Sequence, residues 1–258
     1  MGRVIAVANQ KGGVGKTTSA VNLSACLAAA ERETLLVDLD PQANATSGLG
    51  LSPPKEGEHV YHSLLAMRPI GEIVLPTELK FLKLVPSARD LIGAEVELIE
   101  VKKREYLLKR ALRPVREDFD FILIDCPPSL GLLTVNALVA SDSILIPLQC
   151  EYYALEGVSY LLDTYWRVKR VFNPELEIEG VLLTMYDERT NLSKQVAEEI
   201  RRYFKEKVFR TVIPRSIRLG EAPGFGKPII LYALASKGAQ AYLNLAKEFI
   251  GNEKEGAW

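Results

Sequence analysis

Paired cysteines are missing from this sequence. Its three cysteines, Cys26, Cys126 and Cys150, are odd in number, widely spaced and free of any C-x-x-C pattern. That argues against a disulfide framework or a zinc ribbon and leaves three reduced, buried thiols as the expectation. Histidine is scarce: only His59 and His62 occur, in a polar stretch that reads as surface, without the thiols or carboxylates a metal site needs. No apolar run reaches the roughly 18 residues needed to cross a bilayer. The first residues show no basic region, apolar core and cleavage site in succession, so the expectation is a cytoplasmic protein. Net charge is also lacking, at −1 over 258 residues. Any nucleic-acid surface must therefore be a local patch.

What is present is an alternation of short apolar runs with longer helical patterns. Strands are expected at 3–9, 34–39, 81–85, 119–125, 143–148, 179–185 and 208–213, and helices at 16–30, 89–113, 131–140, 155–172, 192–205 and 237–250. Several strand candidates are apolar throughout, as strands covered on both faces are. The order predicts an α/β fold, a doubly wound, mostly parallel sheet with helices on both faces and ligands at the carboxyl ends of the strands. No repeat or linker divides the chain, so one domain over 1–250 is expected, with 251–258 a frayed tail and 50–60 an exposed loop.

The strand "RVIAVAN", the loop "QKGGVGKTT" and an Ala-rich helix form a strand–glycine loop–helix unit. Gly12, Gly13 and Gly15 let backbone N–H groups approach phosphate oxygens, with Lys11 and Val14 in the same cradle. The following helix adds positive potential at its N-terminus. Lys16 should reach the β- and γ-phosphates, Thr17 should ligate Mg²⁺, and Thr18 could donate to the α-phosphate. The usual G-x-x-x-x-G-K-[ST] fails by one residue, because Gln10 stands where its first glycine belongs. Two later strands end in aspartates: Asp38 and Asp40 in "LLVDLDPQ", and Asp125 in "FDFILIDCPPS". Three carboxylates converging on one phosphate loop are poorly explained as turn caps. Asp125 reads as the carboxylate that holds Mg²⁺ through water; Asp38 supports either the Mg²⁺ shell or only its own turn.

The variant K-G-G-x-G-K-T resembles the deviant Walker A loop of the P-loop ATPases that include the ParA/Soj partition proteins, MinD and the nitrogenase iron protein. The words "DPQANATSGLG", "DCPPSLGLLTVNAL", "PLQCEYYALEG" and "TVIPRSIRLGEAPGFGKPI" extend the resemblance along nearly the whole chain, closest to ParA/Soj. The turn "AAAERETLLVD" departs from the family's Gly-Lys-aliphatic turn. The resemblance implies an ATP-dependent homodimer in which Lys16 serves its own ATP and Lys11 reaches the partner's. It implies that Asp40 positions the attacking water and that Met185 and Pro214 border the adenine. It further implies weak Mg²⁺-dependent ATP hydrolysis, non-specific binding of double-stranded DNA through Arg189 and Arg218, association with the nucleoid, and stimulation by a ParB-like centromere-binding protein.

MinD's basic membrane helix and the iron protein's cluster cysteines have no counterpart here, so direct membrane binding is not expected. The chain starts at its first strand, so an operator-binding helix-turn-helix is not expected either. Residues 102–116 carry a net charge of +6, which reads either as a solvated helix face or as part of a DNA surface. A second functional class stays open: a nucleotide-switched scaffold that positions another partner, with DNA incidental.

Overall fold

The protein, described by a computed structural model over residues 2–52, 54, 57–152 and 154–255, is organised around one seven-stranded sheet. Its strands are β1 (Arg3–Val7), β2 (Thr34–Asp38), β3 (Leu75–Pro76), β4 (Leu82–Val85), β5 (Phe121–Asp125), β6 (Ser143–Gln149) and β7 (Glu177–Thr184). They lie in the order β3-β4-β2-β5-β1-β6-β7. All pairs are parallel except the two-residue β3–β4 contact at one edge.

Alternation along the strands feeds two cores. Val4, Ala6, Leu35, Val37, Ile122 and Ile124 face helices 91–97, 107–112, 132–140, 154–171 and 191–204. Ile5, Val7, Leu36, Phe121 and Leu123 face helices 16–29 and 237–255 on the other side. Burial on both faces is why the central strands carry no polar alternation.

The insertion of β5 between β1 and β2 is what builds the site. In register, Val7 pairs with Asp125 and Asp125 pairs with Asp38. The ends of three strands thus stand side by side, next to the loop that follows β1. All three cysteines are buried and free, as the sequence implied.

Four expectations need correction. The helix expected over 89–113 is broken into Leu91–Glu97 and Leu107–Leu112, joined by short 3₁₀ turns. Lys103 takes a left-handed φ of 57° at the break. Asn136, reaching across from helix 132–140, donates to the Arg104 carbonyl and accepts from Leu108 N–H, so a tertiary partner replaces the helical bonds. The strand expected at 208–213 makes only isolated bridges to β7 and its following turn, at Val208 and Pro214. Its middle amides, Arg210 and Thr211 N–H, donate instead to the Glu248 carboxylate at 2.8 and 3.1 Å. His59 is not at the surface: it is buried against His62, with Nε2 3.7 Å from Asp90. Finally, the last helix runs Lys237–Glu255, past the boundary expected at 250, and residues 256–258 lie outside the described ones.

Two glycines tie distant segments together. A Cβ on Gly226 would stand 2.5 Å from Gly50 Cα, and one on Gly50 would stand 2.8 Å from the Gly226 carbonyl oxygen. Both have positive φ, 76° at Gly50 and 62° at Gly226. The turn after β2 and the segment 222–227 therefore touch backbone to backbone. Gly226→Ala adds left-handed strain to a clash with atoms that cannot rotate away. The expected loss is about 2–5 kcal/mol, summing the usual costs of an alanine in that conformation and of overpacking. Chemical denaturation of parent and variant measures it, and a loss under about 0.5 kcal/mol would refute the packing argument.

Candidate functional site

The phosphate loop is held from below. Asn9, at the end of β1, donates from Nδ2 to the Pro147 carbonyl at 2.7 Å and accepts the Lys11 N–H on Oδ1 at 3.0 Å. Thr184, the last residue of β7, donates its hydroxyl to the Val14 carbonyl at 2.8 Å. Val14 is buried, and Gly13 and Gly15 take left-handed φ values of 73° and 88°. Those conformations turn the loop so that helix 16–29 begins with its amides toward the loop's concavity, the arrangement that receives anions. No atom lies within 4 Å of a Cβ built on Gly12 or Gly13, so the cradle is open.

Lys16 is 6% exposed, and its Nζ donates to the Lys11 carbonyl at 3.2 Å. Burial pulls its pKa down, opposed by the negative charges of Asp125 and Asp40 and by Cys126. Lys11 points elsewhere. Its Nζ lies 3.2 Å from Glu151 Oε2, with both side chains part-exposed. The two lysines that share one loop thus have different environments: one buried over the carboxylates, one at the rim against an acid of its own chain.

The carboxylates divide in the same way. Asp38 is fully buried and satisfied: Oδ2 accepts from Thr46 N–H at 2.8 Å and Thr46 Oγ1 at 2.7 Å, and Oδ1 accepts from Asp40 N–H. Of its two readings, the turn is the one these bonds occupy. Asp40, 6% exposed, accepts the Gln42 N–H at 2.9 Å. Asp125 is fully buried, and neither of its carboxylate oxygens has a well-formed hydrogen bond. Burial drives its pKa well up and the Asp38 charge adds to the rise, with the nearby Thr17 hydroxyl and Lys16 opposing it. Asp38 is itself raised to about 6, chiefly by burial.

A buried carboxylate without a proper partner is costly, and here it lies beneath a phosphate loop beside the Thr17 hydroxyl. These residues fit a Mg²⁺–nucleotide. Thr17 would supply a hydroxyl ligand, Asp125 would hold the ion's water, and phosphate oxygens would complete a shell that Mg²⁺ prefers to share with water. The bound ion would neutralise charge on the phosphates. Thr18 completes the loop: with Thr17 it lines a pocket of about 260 Å³ that also takes in Asn44, Ser47 and Lys227.

The other candidates lie beyond β7, whose last residue Thr184 bonds the phosphate loop. Met185 holds a left-handed φ of 50° just after β7. Next to it, Tyr186 exchanges backbone bonds with Ile213 and Arg215 on either side of Pro214. Pro214 and Arg189 line one open cleft of about 1010 Å³, with Tyr186, Arg215 and Ile217. Arg189 is 83% exposed and grips Asp187 at 2.7 Å; Arg218 is 60% exposed and pairs with Glu221 at 2.9 Å. The structure brings Arg189 to the Pro214 cleft but gives Met185 no place in its lining.

Reasoning from sequence missed Thr46, Asn9 and Glu151. Each lies inside or beside a motif singled out above, but its role depends on a partner far along the chain: Ser87 for Thr46, Pro147 for Asn9, Lys11 for Glu151. The motif boundaries marked the neighbourhood, and nothing in the local pattern marked the pairing.

Comparison with known proteins points one way. A family model described as an AAA domain matches residues 2–178. The chain is 58% identical over 250 residues to the chromosome partitioning protein ParA of Myxococcus xanthus, covering 97% of this chain and 88% of that one. It is 56% identical over 252 residues to the sporulation initiation inhibitor protein Soj of Bacillus subtilis, covering 98% and 100%. Among solved structures it resembles a cobyrinic acid a,c-diamide synthase from Mycobacterium smegmatis with bound ADP and magnesium. The TM-score is 0.87 at 40% identity, covering 99% and 97% of the two chains. It also resembles the cell division ATPase MinD of Pyrococcus furiosus, with a TM-score of 0.80 at 27% identity over 98% and 100%.

The raised carboxylates make stability without ligand depend on pH. Between the unfolded carboxylate range and about pH 6, the folded chain holds a proton on Asp38 that the unfolded chain releases, and Asp125 extends the same sign to higher pH. The stability these two groups contribute is therefore greatest below the unfolded pKa and falls as pH rises through the folded values, with buried His59, its pKa lowered by burial, contributing the opposite sign below its ordinary value. The nucleotide-free, Mg²⁺-free protein should melt higher at pH 5 than at pH 7, and Asp125→Asn should flatten that difference by raising the pH 7 value. Each tenfold difference in proton affinity between the folded and unfolded chain is about 1.4 kcal/mol, or a few degrees for a chain of this length. Calorimetry at the two pH values tests this, and an Asp125→Asn variant less stable than the parent at pH 7 would contradict it.

Proposed function

The chain belongs to the ParA/Soj family of chromosome-partitioning ATPases, and from that premise we propose that it is an ATP-driven dimerisation switch that binds DNA without sequence preference. The observation that carries this reading is the unsatisfied Asp125 carboxylate beneath the phosphate loop, because a cation brought in with a nucleotide relieves it. Lys16 then neutralises the β- and γ-phosphates from its buried position. Asp40, buried on the turn after β2 and close enough to Lys16 to sustain its charge, orients and polarises the water that attacks the γ-phosphate. The product is ADP and phosphate, and turnover is slow until a ParB-like protein stimulates it.

Lys11 supplies the dimer dependence. Parked on Glu151, it contributes nothing to phosphates held by its own Lys16. Released across a two-fold interface, it would reach the partner's nucleotide, and charge delivered in trans couples transition-state stabilisation to association. The exposed arginines Arg189 and Arg218 give the dimer its DNA contacts. Both are guanidinium groups suited to phosphate oxygens. A cycle of ATP-bound DNA association and hydrolytic release, timed by the centromere-binding partner, would move the chromosome or plasmid on the nucleoid. Among the described residues no helix is long and apolar enough to cross a membrane.

Two substitutions separate the lysines. Lys16→Ala should abolish ATP binding. Lys11→Ala should keep nucleotide binding by the monomer and lose ATP-dependent dimerisation. Equilibrium nucleotide titration and light scattering read the two effects, and a Lys11 variant that dimerises and hydrolyses as the parent does would overturn the trans role.

Arg189→Ala and Arg218→Ala should weaken binding equally on unrelated duplexes and leave dimerisation intact. The slope of log K against log[salt] should become shallower by about 0.9 for each phosphate no longer touched. A salt titration of the ATP-bound dimer checks this; unchanged slope and affinity would place the DNA surface elsewhere.

A further inference from the structure

Residues 90–100, "DLIGAEVELIE", hold four acids and no base. They follow β4 and form the helix Leu91–Glu97 and the 3₁₀ turn Leu98–Glu100. Leu91, Ala94 and Leu98 are fully buried in the core on their side of the sheet. The outward face of the same segment is apolar too. Ile92 is 58% exposed, Val96 69% and Ile99 58%. Spacings of four and three residues set them in one row. Glu97 and Glu100 are exposed beside that row, and Asp90 is exposed at its start. The Tyr61 hydroxyl steadies Glu97 by donating to its Oε2 at 2.7 Å. A helix that has already buried one apolar face and turns a second one outward is shaped to receive something.

The charge around the row selects the occupant. Nucleic acid and anionic lipid would both meet like charge at Asp90, Glu97 and Glu100. Helices that lie in a membrane surface carry cations beside their apolar face, and here the flanking groups are acids. A second copy of this chain, set row against row, would bring acid against acid. A protein helix with apolar side chains at the same spacing and Lys or Arg beside them satisfies both features. It covers the row and pairs with the acids.

The row also has a physical route to the nucleotide site. Ser87, just ahead of the helix, donates its N–H to Thr46 Oγ1 at 3.1 Å. Thr46 donates to Asp38 from both its N–H and its hydroxyl, and Asp38 accepts the Asp40 N–H. Ser87, Thr46 and Asp38 are all fully buried. Beyond Ser87, the Leu91, Ile92 and Gly93 amides donate to the Ala88, Arg89 and Asp90 carbonyls, so the start of the helix is continuous with this chain of bonds. On its other side the segment is held to helix 60–64, whose Val60 N–H donates to the Pro86 carbonyl. We infer that the face formed by Ile92, Val96 and Ile99, flanked by Glu97 and Glu100, is where the stimulating partner docks a basic amphipathic helix. The inference rests on the proposed switch and deepens it. A partner seated there bears on the turn that carries Asp40 through buried hydrogen bonds, and touches neither the phosphate loop nor the DNA-binding arginines.

The test compares the parent with Val96→Lys/Ile99→Lys and with Glu97→Lys/Glu100→Lys. ATP hydrolysis on duplex DNA is followed as a full-length ParB-like centromere-binding protein is added. In both variants the concentration for half-maximal stimulation should rise about tenfold or more, as it does when central interface contacts are lost. Basal hydrolysis, ATP-dependent dimerisation and DNA binding should stay as in the parent. A labelled synthetic helix with leucines at matching spacing and flanking lysines should bind the parent by fluorescence anisotropy. Its counterpart with glutamates for lysines should bind the Glu97→Lys/Glu100→Lys chain instead. If the first variant fails to fold by circular dichroism, Val96→Ser/Ile99→Ser replaces it with the same expectation. Equal stimulation of all the chains would overturn the inference and leave the switch standing. Self-association of the parent by light scattering without nucleotide, lost in Val96→Lys/Ile99→Lys, would also overturn it by making the face a contact between copies. A parent that the ParB-like protein does not stimulate would remove the partner from the proposed function, and this docking surface with it.

Discussion

The nucleotide site is organised around one costly placement, a fully buried carboxylate without a well-formed hydrogen bond at the centre of the sheet. Asp125 ends β5, and β5 lies between β1 and β2. Its backbone is tied to both neighbours, with Leu39 N–H donating to the Asp125 carbonyl and Cys126 N–H donating to the Val7 carbonyl. The side chain therefore cannot leave for solvent without breaking parallel ladders on two sides. The fold answers the cost in part with Lys16, whose own charge is disfavoured by burial and sustained by Asp125 and Asp40. One cation shared among several acids leaves the site short of positive charge. The deficit is a binding affinity held in reserve for a cation carried by an anionic ligand.

The division of labour among the aspartates follows from hydrogen-bond supply. Asp38 commits its lone pairs to Thr46 and to Asp40 N–H, which locks the turn "DLDPQANATSG" against the sheet. Asp40, carried on that turn, keeps a buried carboxylate that accepts the Gln42 N–H. A satisfied acid that shapes the turn and an unsatisfied one beneath the loop are different tools, although both end strands in similar sequence words. Burial and bonding tell them apart, and neither is written in the local sequence.

The legibility of each feature tracked how local its causes were. The phosphate loop, its helix and the strand-end aspartates were readable because glycine, lysine and threonine act within about ten residues of chain. The parallel sheet was readable because its strands are apolar on both faces. The main errors had distant causes. Asn136 ended a helix it does not belong to, Glu248 took the amides of a strand that would otherwise have paired with β7, and Asp90 and His62 helped draw His59 inside. The turn "AERET", which departs from the family's glycine, shows the same limit from the other side. Glu31 holds a φ of 58° there, a conformation that costs a glutamate strain and a glycine none, and neighbouring helix and strand impose it.

The same distant contacts give the molecule its mechanical layout. From Asp38 the chain of contacts runs through Thr46 and the short helix 44–48 to Gly50, and from Gly50 directly to Gly226. Gly226 closes the turn that follows Ala222–Phe225, whose preceding residue Glu221 holds Arg218 at 2.9 Å and Tyr232 at 3.1 Å. Asn22, on the helix that starts at Lys16, ties in from a third side: Oδ1 accepts Ile229 N–H at 2.6 Å, and Nδ2 donates to the Thr18 carbonyl. Backbone in contact with backbone has no rotamer to absorb a shift, and a close-packed interior moves in units instead of yielding continuously. The turn carrying Asp40 and the segment carrying Arg218 are consequently parts of one packed body.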